Sequence, residues 1–296
     1  MESFLLANQS AIYACLFLGT LGAVALWEYI SPRRDLQASM VVRWSGNFGL
    51  MLLNSGFMWL VYPGFGIGAA ILASGQDWGL LRLVEMPYWL QFVLAIVLLD
   101  LGHFGIHYGF HHIPALWRLH RLHHTDQDFD FSTAVRFHPG EALLEHGANL
   151  AIILVVGPPV LAVMLFVFSY LLTTFWVHGN IRMPADLDRW IRSVFITPDM
   201  HRTHHSQVEA ETNSNYGGLF SCWDRLFGTY VDEPGAGHEG MAIGLPEFRD
   251  ERHIRLGWML ANPVLNPVLR ISDATRASSQ RHRGAGGSPH GRGRAQ

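Results

Sequence analysis

The sequence predicts an all-α fold: an integral membrane helical bundle with a cytosolic-facing, histidine-rich helical cap. Three observations carry that expectation. About half of the 296 residues are hydrophobic and only 15% are charged, against about 25% in soluble domains. The apolar residues fall in runs long enough to cross a bilayer. Eleven histidines crowd two short stretches, most of them at helical spacings, and a twelfth, His178, lies between.

The elements follow in order. Residues 11–30 form a first apolar span, ending at Ser31-Pro32-Arg33-Arg34. Residues 1–10 carry no positive charge, so a cleavable signal peptide is not expected. A second apolar stretch, 48–73, breaks at Pro63-Gly64 and reads as one span followed by a re-entrant or interfacial piece. Residues 77–85 are a polar connection. The third span, 87–112, starts lipid-like and carries Asp100 and the first histidines on its later turns. Residues 116–137 are polar and histidine-rich. Residues 143–177 are apolar but interrupted by Gly157-Pro158-Pro159, which predicts a helical hairpin rather than one span. From Asn180 the chain is soluble in character. The short apolar run 258–269, with Pro263 and Pro267, is expected on the membrane surface. From Ser278 the chain is Arg, Gly and Ser and reads as disordered, with attraction to anionic lipid as the alternative. Four segments result: transmembrane helices in 1–86, a histidine-rich domain in 87–232, a peripheral segment in 233–277 and a tail in 278–296.

Arginine placement gives the orientation. Arg33, Arg34 and Arg43 follow the first span, Arg118, Arg121 and Arg136 the third, and Arg182, Arg189 and Arg192 the hairpin. Placing these loops in the cytoplasm satisfies the positive-inside rule. The N-terminus is then outside and every histidine cluster faces the cytoplasm. All 21 basic residues are arginine, which reads as the coding bias of a GC-rich bacterium and makes a bacterial inner membrane the expected location. Outside the tail the arginines are scattered, so no nucleic-acid partner is expected. Cys15 and Cys222 lie far apart and give neither a thiolate metal site nor a disulfide framework.

The histidines carry the chemistry. Neutral imidazole is the commonest side-chain metal ligand. The unit His-x-x-His-His occurs twice, at His120, His123 and His124 and at His201, His204 and His205. On a helix the positions i, i+3 and i+4 share a face, so each run is expected to aim three imidazoles at one point. His107 and His111 add an i, i+4 pair. Asp100, seven residues before His107, is placed to accept the N–H of a ligand imidazole and fix its tautomer. His103, at i−4 from His107, extends the stripe and stays a candidate. His138 precedes Pro139 and Glu141, the pattern of a helix N-terminus with proline in first position. His112 and His238 read as capped or solvated, and His146 as structural.

A resemblance arrives at these residues. The run Asp100-x6-His107-x3-His111-x2-Pro114-x2-Trp117-Arg118-x-His120-Arg121-x-His123-His124 resembles the fatty acid hydroxylase/sterol desaturase superfamily. The likeness continues through Asp128-x-Asp130-x-Ser132-Thr133-Ala134-x-Arg136-Phe137-His138-Pro139 and Trp176-x-His178-x-Asn180. It closes with Thr197-Pro198-x-Met200-His201-Arg202-x-His204-His205-Ser206, then Asn215-Tyr216-Gly217 and Trp223-Asp224-Arg225-Leu226-Phe227-Gly228-Thr229. It covers residues 98–230.

The resemblance implies two iron ions, cycling between Fe2+ and Fe3+, with O2 as co-substrate. Carried onto this chain, the ligands are His107, His111, His120, His123, His124, His178, His201, His204 and His205. Aligning on Pro114 makes His107 and His111 the first box. Arg182 stands where a further histidine would follow His178, so the ligand count is open by one or two, and His103 or His138 could fill it. Asp100 and Asp224 are expected to support ligands, and Asn180 to position a ligand or a water. The implied activity is hydroxylation of a lipid C–H bond, on a fatty acyl chain, a sterol or a related lipid. Desaturation, ether-lipid cleavage and carotenoid oxidation are alternatives on the same centre. Iron suits the ligand set, although zinc or copper would fit the imidazoles. With no dinucleotide fingerprint, flavin motif or iron–sulfur motif in the sequence, electrons are expected from a separate reductase, ferredoxin or cytochrome. A membrane metal transporter is the reading from another class. Transport sites sit near the bilayer midplane in broken helices, whereas these histidines sit at span ends.

Overall fold

The structure, a computed structural model, describes residues 2–62 and 67–266. The expected break at Pro63-Gly64 and the expected disordered tail lie outside the described residues. The helices are α1 (Glu2–Ala7), α2 (Gln9–Ile30), α3 (Met40–Val61), α4 (Ile67–Gly75), α5 (Tyr88–His112), α6 (Pro114–His124) and α7 (Pro139–Val156). They continue as α8 (Val160–Val177), α9 (Ala185–Ile191), α10 (Pro198–His204), α11 (Glu209–Thr212), α12 (Cys222–Phe227), α13 (Gly237–Gly240) and α14 (Leu256–Ala261). No strand forms among the described residues. Isolated bridges join Pro32 to Ile181, Phe195 to Phe220 and Ser206 to Ile243.

Among the described residues four helices, α2, α5, α7 and α8, are long and apolar enough to cross a membrane, and the chain is an all-α membrane bundle. At 1.5 Å per residue the 25 residues of α5 span roughly 37 Å, against a hydrocarbon core of about 30 Å. Its last turns, with His107 and His111, therefore project toward the cap. The hairpin forms as its Gly-Pro-Pro signal predicts. Gly157 ends α7 at φ 64°, and Pro159 leads into α8. Only glycine fits there: a Cβ on Gly157 would stand 2.1 Å from the carbonyl oxygen of Trp78. α2 lies along α8 through an edge-on pair of Phe17 with Phe175, centroids 5.3 Å apart, and through Trp27 with Trp176 at 5.5 Å.

The second apolar stretch is resolved differently from the expectation. α3 begins at Met40, eight residues before Phe48. Asn54 on α3 and Tyr62 just after it tie this helix to the start of α7: Asn54 Nδ2 donates to the Phe137 carbonyl at 2.8 Å and Tyr62 Oη to the Leu143 carbonyl at 3.5 Å. The piece expected at the interface, α4, packs one face on the bundle, with Ile67, Ala69 and Ala70 against Leu99, Ile153, Val163 and Met164, and leaves Ile71 and Leu72 exposed. Arg43 and Asn47 explain the difference. They dilute the hydropathy of the start of α3, yet both are fully buried against partners in the cap.

Those partners form a network under the histidines. Arg43 grips both oxygens of Asp126, at 2.7 and 2.9 Å, and reaches Asp130 Oδ2 at 2.7 Å. Arg136 donates to the Leu122 carbonyl, Asn47 Oδ1 and Thr125 Oγ1 at 2.9 to 3.0 Å. Part of the arginine bias between spans is therefore internal scaffolding. Of the run expected on the membrane surface, residues 258–266 are described, with Trp258 and Val264 exposed. In α14, Met259 is fully buried against Leu50 and Leu122, because Gly46 leaves room for it: a Cβ there would meet its sulfur at 2.8 Å. Arg121 Nε fixes the end of α14 by donating to Asn262 Oδ1 at 3.1 Å.

Candidate metal centre

Four elements supply the converging histidines. α5 brings His107 and His111. α6 starts on Pro114 and ends at His124, bringing His120, His123 and His124. His178 caps the C-terminus of α8. α10 starts at the Thr197 N-cap, whose hydroxyl accepts from Met200 N, and brings His201, His204 and His205.

The nine imidazoles form two groups. One holds His107, His111, His120, His124 and His204, the other His123, His178, His201 and His205. Within each group, one ligand atom per residue lies within 4.8 Å of all the others. The groups adjoin, with His124 and His205 stacked at 4.6 Å between centroids.

This corrects the expectation that each His-x-x-His-His run aims at one point. His120 and His124 enter the first group and His123 the second. His201 and His205 enter the second group and His204 the first. At roughly 100° per residue, i+3 and i+4 fall on opposite sides of i, by about 60° and 40°. Two facing runs therefore interleave across two positions.

Five of the nine have their tautomer fixed by an acceptor at Nδ1. His107 donates to the Tyr216 carbonyl at 2.9 Å, His178 to that of Thr174 at 2.7 Å and His204 to that of Ser214 at 2.6 Å. His111 donates to Asn213 Oδ1 at 3.2 Å, and His120 to the Glu141 carboxylate. Each is left with a bare lone pair on Nε2. They face further ring nitrogens: Nε2 of His178 lies 3.1 Å from Nε2 of His123 and 3.0 Å from Nε2 of His201, and Nε2 of His120 lies 3.2 Å from that of His124, while Nδ1 of His123, His124 and His201 is buried without a partner. The Nε2 atoms of His111, His204 and His205 are buried without a hydrogen-bond partner. Orphaned ring nitrogens are unfavourable in a dry site, and a metal cation satisfies them. Burial holds the imidazoles of His120 at about 3 and His178 at about 4, and those of His123, His124, His201, His204 and His205 well below the usual value, with neighbouring imidazoles adding to the effect in the last five. They are thus neutral at pH 7, the form that binds metal.

The remaining candidates fall elsewhere. His138 joins neither group. It caps α7, with Nδ1 accepting from Gly140 N at 3.0 Å and Nε2 donating to the Leu260 carbonyl at 3.2 Å. His103 also lies outside both groups, its Nε2 2.6 Å from the Tyr170 hydroxyl. Asp100 reaches no imidazole. It accepts from Leu219 N at 2.9 Å, Phe220 N at 3.1 Å and Trp223 Nε1 at 2.8 Å, because the chain returns across α5 at that point. Asn180 positions backbone rather than a ligand: its amide exchanges hydrogen bonds with the main chain of Arg34 at 3.1 and 2.8 Å. Asp224 acts one step removed. It accepts from Tyr216 N at 2.8 Å and Gly217 N at 2.9 Å, fixing the residue whose carbonyl holds His107. His112 is exposed as expected, whereas His238 is buried, with Nε2 2.8 Å from Glu233.

Two supporting residues were missed from sequence. Glu141 signalled only a helix start, and Asn213 carried no signal. Asn215, within a quoted motif, has φ 52° and ties the loop to the carbonyls of Met200 and Val231, each at 2.9 Å.

A cavity between α5, α7 and α8 opens onto histidines of both groups. Its apolar wall includes Ile106, Phe110, Phe137 and Val177, and its polar side includes His103, Glu141, Glu145 and Tyr170.

Residues 92–229, from α5 through α12, match the family model described as fatty acid hydroxylase. Alkylglycerol monooxygenase of Xenopus tropicalis is 28% identical over 207 residues, 66% of this chain and 44% of that protein. Ornithine lipid hydroxylase OlsE of Rhizobium tropici is 35% identical over 158 residues, 51% of this chain and 44% of that protein. Methylsterol monooxygenase 1 of Rattus norvegicus is 30% identical over 152 residues, half of each chain. The chain thus spans less than half the length of the first two relatives. No solved structure matches it. The matched segment contains all nine converging histidines, and over residues 92–229 the chain is similar to the fatty acid hydroxylase family.

Proposed function

We propose that this protein is an O2-dependent membrane oxidase that hydroxylates a C–H bond of a lipid. The observation that carries the reading is the pair of adjoining all-imidazole groups opening onto a cavity between α5, α7 and α8. Two iron ions fit the donor set, one among His107, His111, His120, His124 and His204, the other among His123, His178, His201 and His205. When bound, iron would supply the reduction of O2 and the oxidation of the C–H bond.

The chain's own residues do the rest. Buried neutral imidazoles present lone pairs without competing protons. The carbonyls of Tyr216, Ser214 and Thr174, with Asn213 and Glu141, hold five rings in register. Ile106, Phe110, Phe137 and Val177 give an aliphatic chain an apolar bed and exclude water. The bilayer delivers the lipid, and a separate reductase, ferredoxin or cytochrome supplies electrons at the exposed cap. We place the cap on the cytoplasmic side of a bacterial inner membrane, and residues 87–232 as the catalytic unit.

The test uses the full chain, purified in detergent and loaded with iron. With a membrane lipid extract, a reductant and O2, the expected product is a lipid that has gained one oxygen. Loss of two hydrogens would instead indicate desaturation. Absence of O2 uptake, together with metal flux into proteoliposomes, would replace the oxidase reading with a transporter.

A further inference from the structure

Asp100 is a fully buried carboxylate at the middle of α5, where an ionisable group is costly and marks a function. Its depth follows from the helix. Tyr88 and Trp89, exposed at the start of α5, mark one bilayer interface, where such aromatics gather. Tyr108 is also exposed and lies about 30 Å further along the helix, the thickness of the hydrocarbon core. Asp100 lies only about 18 Å along. Tilting α5 would shorten the projected rise and set Asp100 farther still from the cap-side boundary.

The groups that meet Asp100 at this depth come from beyond the last histidines. Leu219 N, Phe220 N and Trp223 Nε1 donate to its carboxylate. Leu219 is buried in one cluster with Leu99, Ile153 and Met164 of the membrane helices. α12 then runs alongside α5: Phe227 stacks on Phe104, centroids 5.2 Å apart, about 24 Å along the helix and still inside the core. Backbone at such a depth has to satisfy its polar groups within the protein. Here Ile196 N donates to the Leu219 carbonyl at 3.1 Å and Ser221 N to that of Val194 at 3.0 Å. Of the two charged residues in α12, Asp224 is buried on the N–H groups of Tyr216 and Gly217. Arg225 turns back to the Arg192 carbonyl at 3.0 Å and lies over the Tyr230 ring.

The outward side of this segment is apolar. Leu226 is 69% exposed and Phe227 54%, and Val194 and Phe195, in the stretch paired with it, are exposed too. We propose that residues 219–227 re-enter the bilayer from the cap side, and that the exposed side of α12 lies against the acyl chains of that leaflet. Continuity with α5 selects lipid as the occupant, because Phe227 covers Phe104 and takes its place on the outer surface of a membrane helix. Asp100 then has a role: it receives N–H groups that hydrocarbon would leave unsatisfied. The same segment begins just after Tyr216, whose carbonyl holds His107, so the lipid contact braces the first histidine group. Hydropathy does not single out this corner, because its apolar residues come from two separate stretches of chain. The inference rests on the membrane bundle and not on the oxidase reading, so neither test decides the other.

Spin labelling tests it in the full chain, reconstituted into phosphatidylcholine vesicles. Cys15→Ser leaves Cys222 as the only thiol, and it is exposed on α12. Leu226→Cys and Glu209→Cys, each with both native cysteines replaced by serine, give a second position on α12 and an exposed reference on α11. All three sites are exposed, so labelling removes no packed side chain. Dissolved O2 concentrates in hydrocarbon and a nickel chelate in water. Labels at 222 and 226 are expected to relax with O2 and lose their relaxation by the chelate, and the label at 209 to do the reverse. Relaxation by the chelate at 222 and 226 as strong as at 209 would put the segment in water and overturn the proposal. Shielding from both reagents would also overturn it, by showing that protein covers the face. Spin–spin broadening that fades on dilution with unlabelled chain would then identify that protein as a second copy.

Discussion

Glu141, in the first turn of α7, hydrogen-bonds through its carboxylate to Nδ1 of His120, and both side chains are buried. The other imidazoles with a fixed tautomer lean on carbonyl or amide oxygens. A carboxylate at this place orients the ring and raises its basicity toward a cation at Nε2. It also ties α7, which walls the lipid cavity, to α6, which carries three of the nine histidines.

Removing that carboxylate should therefore show in metal affinity before it shows in stability. Glu141→Ala is expected to weaken metal binding by about 10–100-fold, and Glu141→Gln, which keeps an acceptor oxygen, by less. Chelator competition with elemental analysis reads both. An affinity unchanged in Glu141→Ala would show that His120 needs no carboxylate partner.

The interleaving of the two His-x-x-His-His runs makes a sharper prediction. His123→Ala combined with His201→Ala strips one group only and should leave the other metal in place. His123→Ala combined with His204→Ala cuts into both groups and should deplete both metals. Each of these variants should lose turnover. Metal-to-protein ratios that cannot tell the two pairs apart would reject the division into five and four.

Much of this architecture was legible from sequence, for identifiable reasons. Hydropathy and the Gly157-Pro158-Pro159 break located α5 and the α7–α8 hairpin. Histidine spacing singled out the nine residues that converge. What spacing could not give was their division, because that depends on α6 and α10 facing each other across two positions. Asp100 was misassigned because its partners, Leu219, Phe220 and Trp223, arrive from more than a hundred residues away. α3 was begun too late because Arg43 and Asn47 look like loop residues until Asp126 and Asp130 are placed beside them.

Arg43 is where stability should be most sensitive. Its guanidinium neutralises two carboxylates, and the side chains of all three residues are fully buried. Arg43→Met leaves Asp126 and Asp130 charged and unpaired, at a cost of about 3–5 kcal/mol. Arg189→Met is the control: its partner Asp186 is 94% exposed, and such surface pairs contribute about 0–1 kcal/mol. Thermal unfolding in detergent should separate the two variants clearly. Similar midpoints would mean that the network under the cap does not hold it together.

Asp224 predicts a pH dependence of known sign. Burial lifts its carboxyl to about 6, against the hydrogen bonds from Thr229, Gly217 and Tyr216 that favour the charged form. In the unfolded chain an aspartate titrates near 3.9. Between those two values the folded protein holds a proton that the unfolded chain has released. The contribution of Asp224 to stability is therefore fully present below about pH 4 and is lost as the pH rises through about 6. Asp224→Asn removes the titration while keeping an oxygen to accept from Tyr216 N. The melting temperature of the wild type minus that of the variant should thus fall steadily from about pH 4 to about pH 6 and level off above. Taking the difference cancels the histidines and other carboxylates common to both proteins. A difference that stays constant or rises across this window would show that the hydrogen bonds from Thr229, Gly217 and Tyr216, and not burial, set the charge on Asp224.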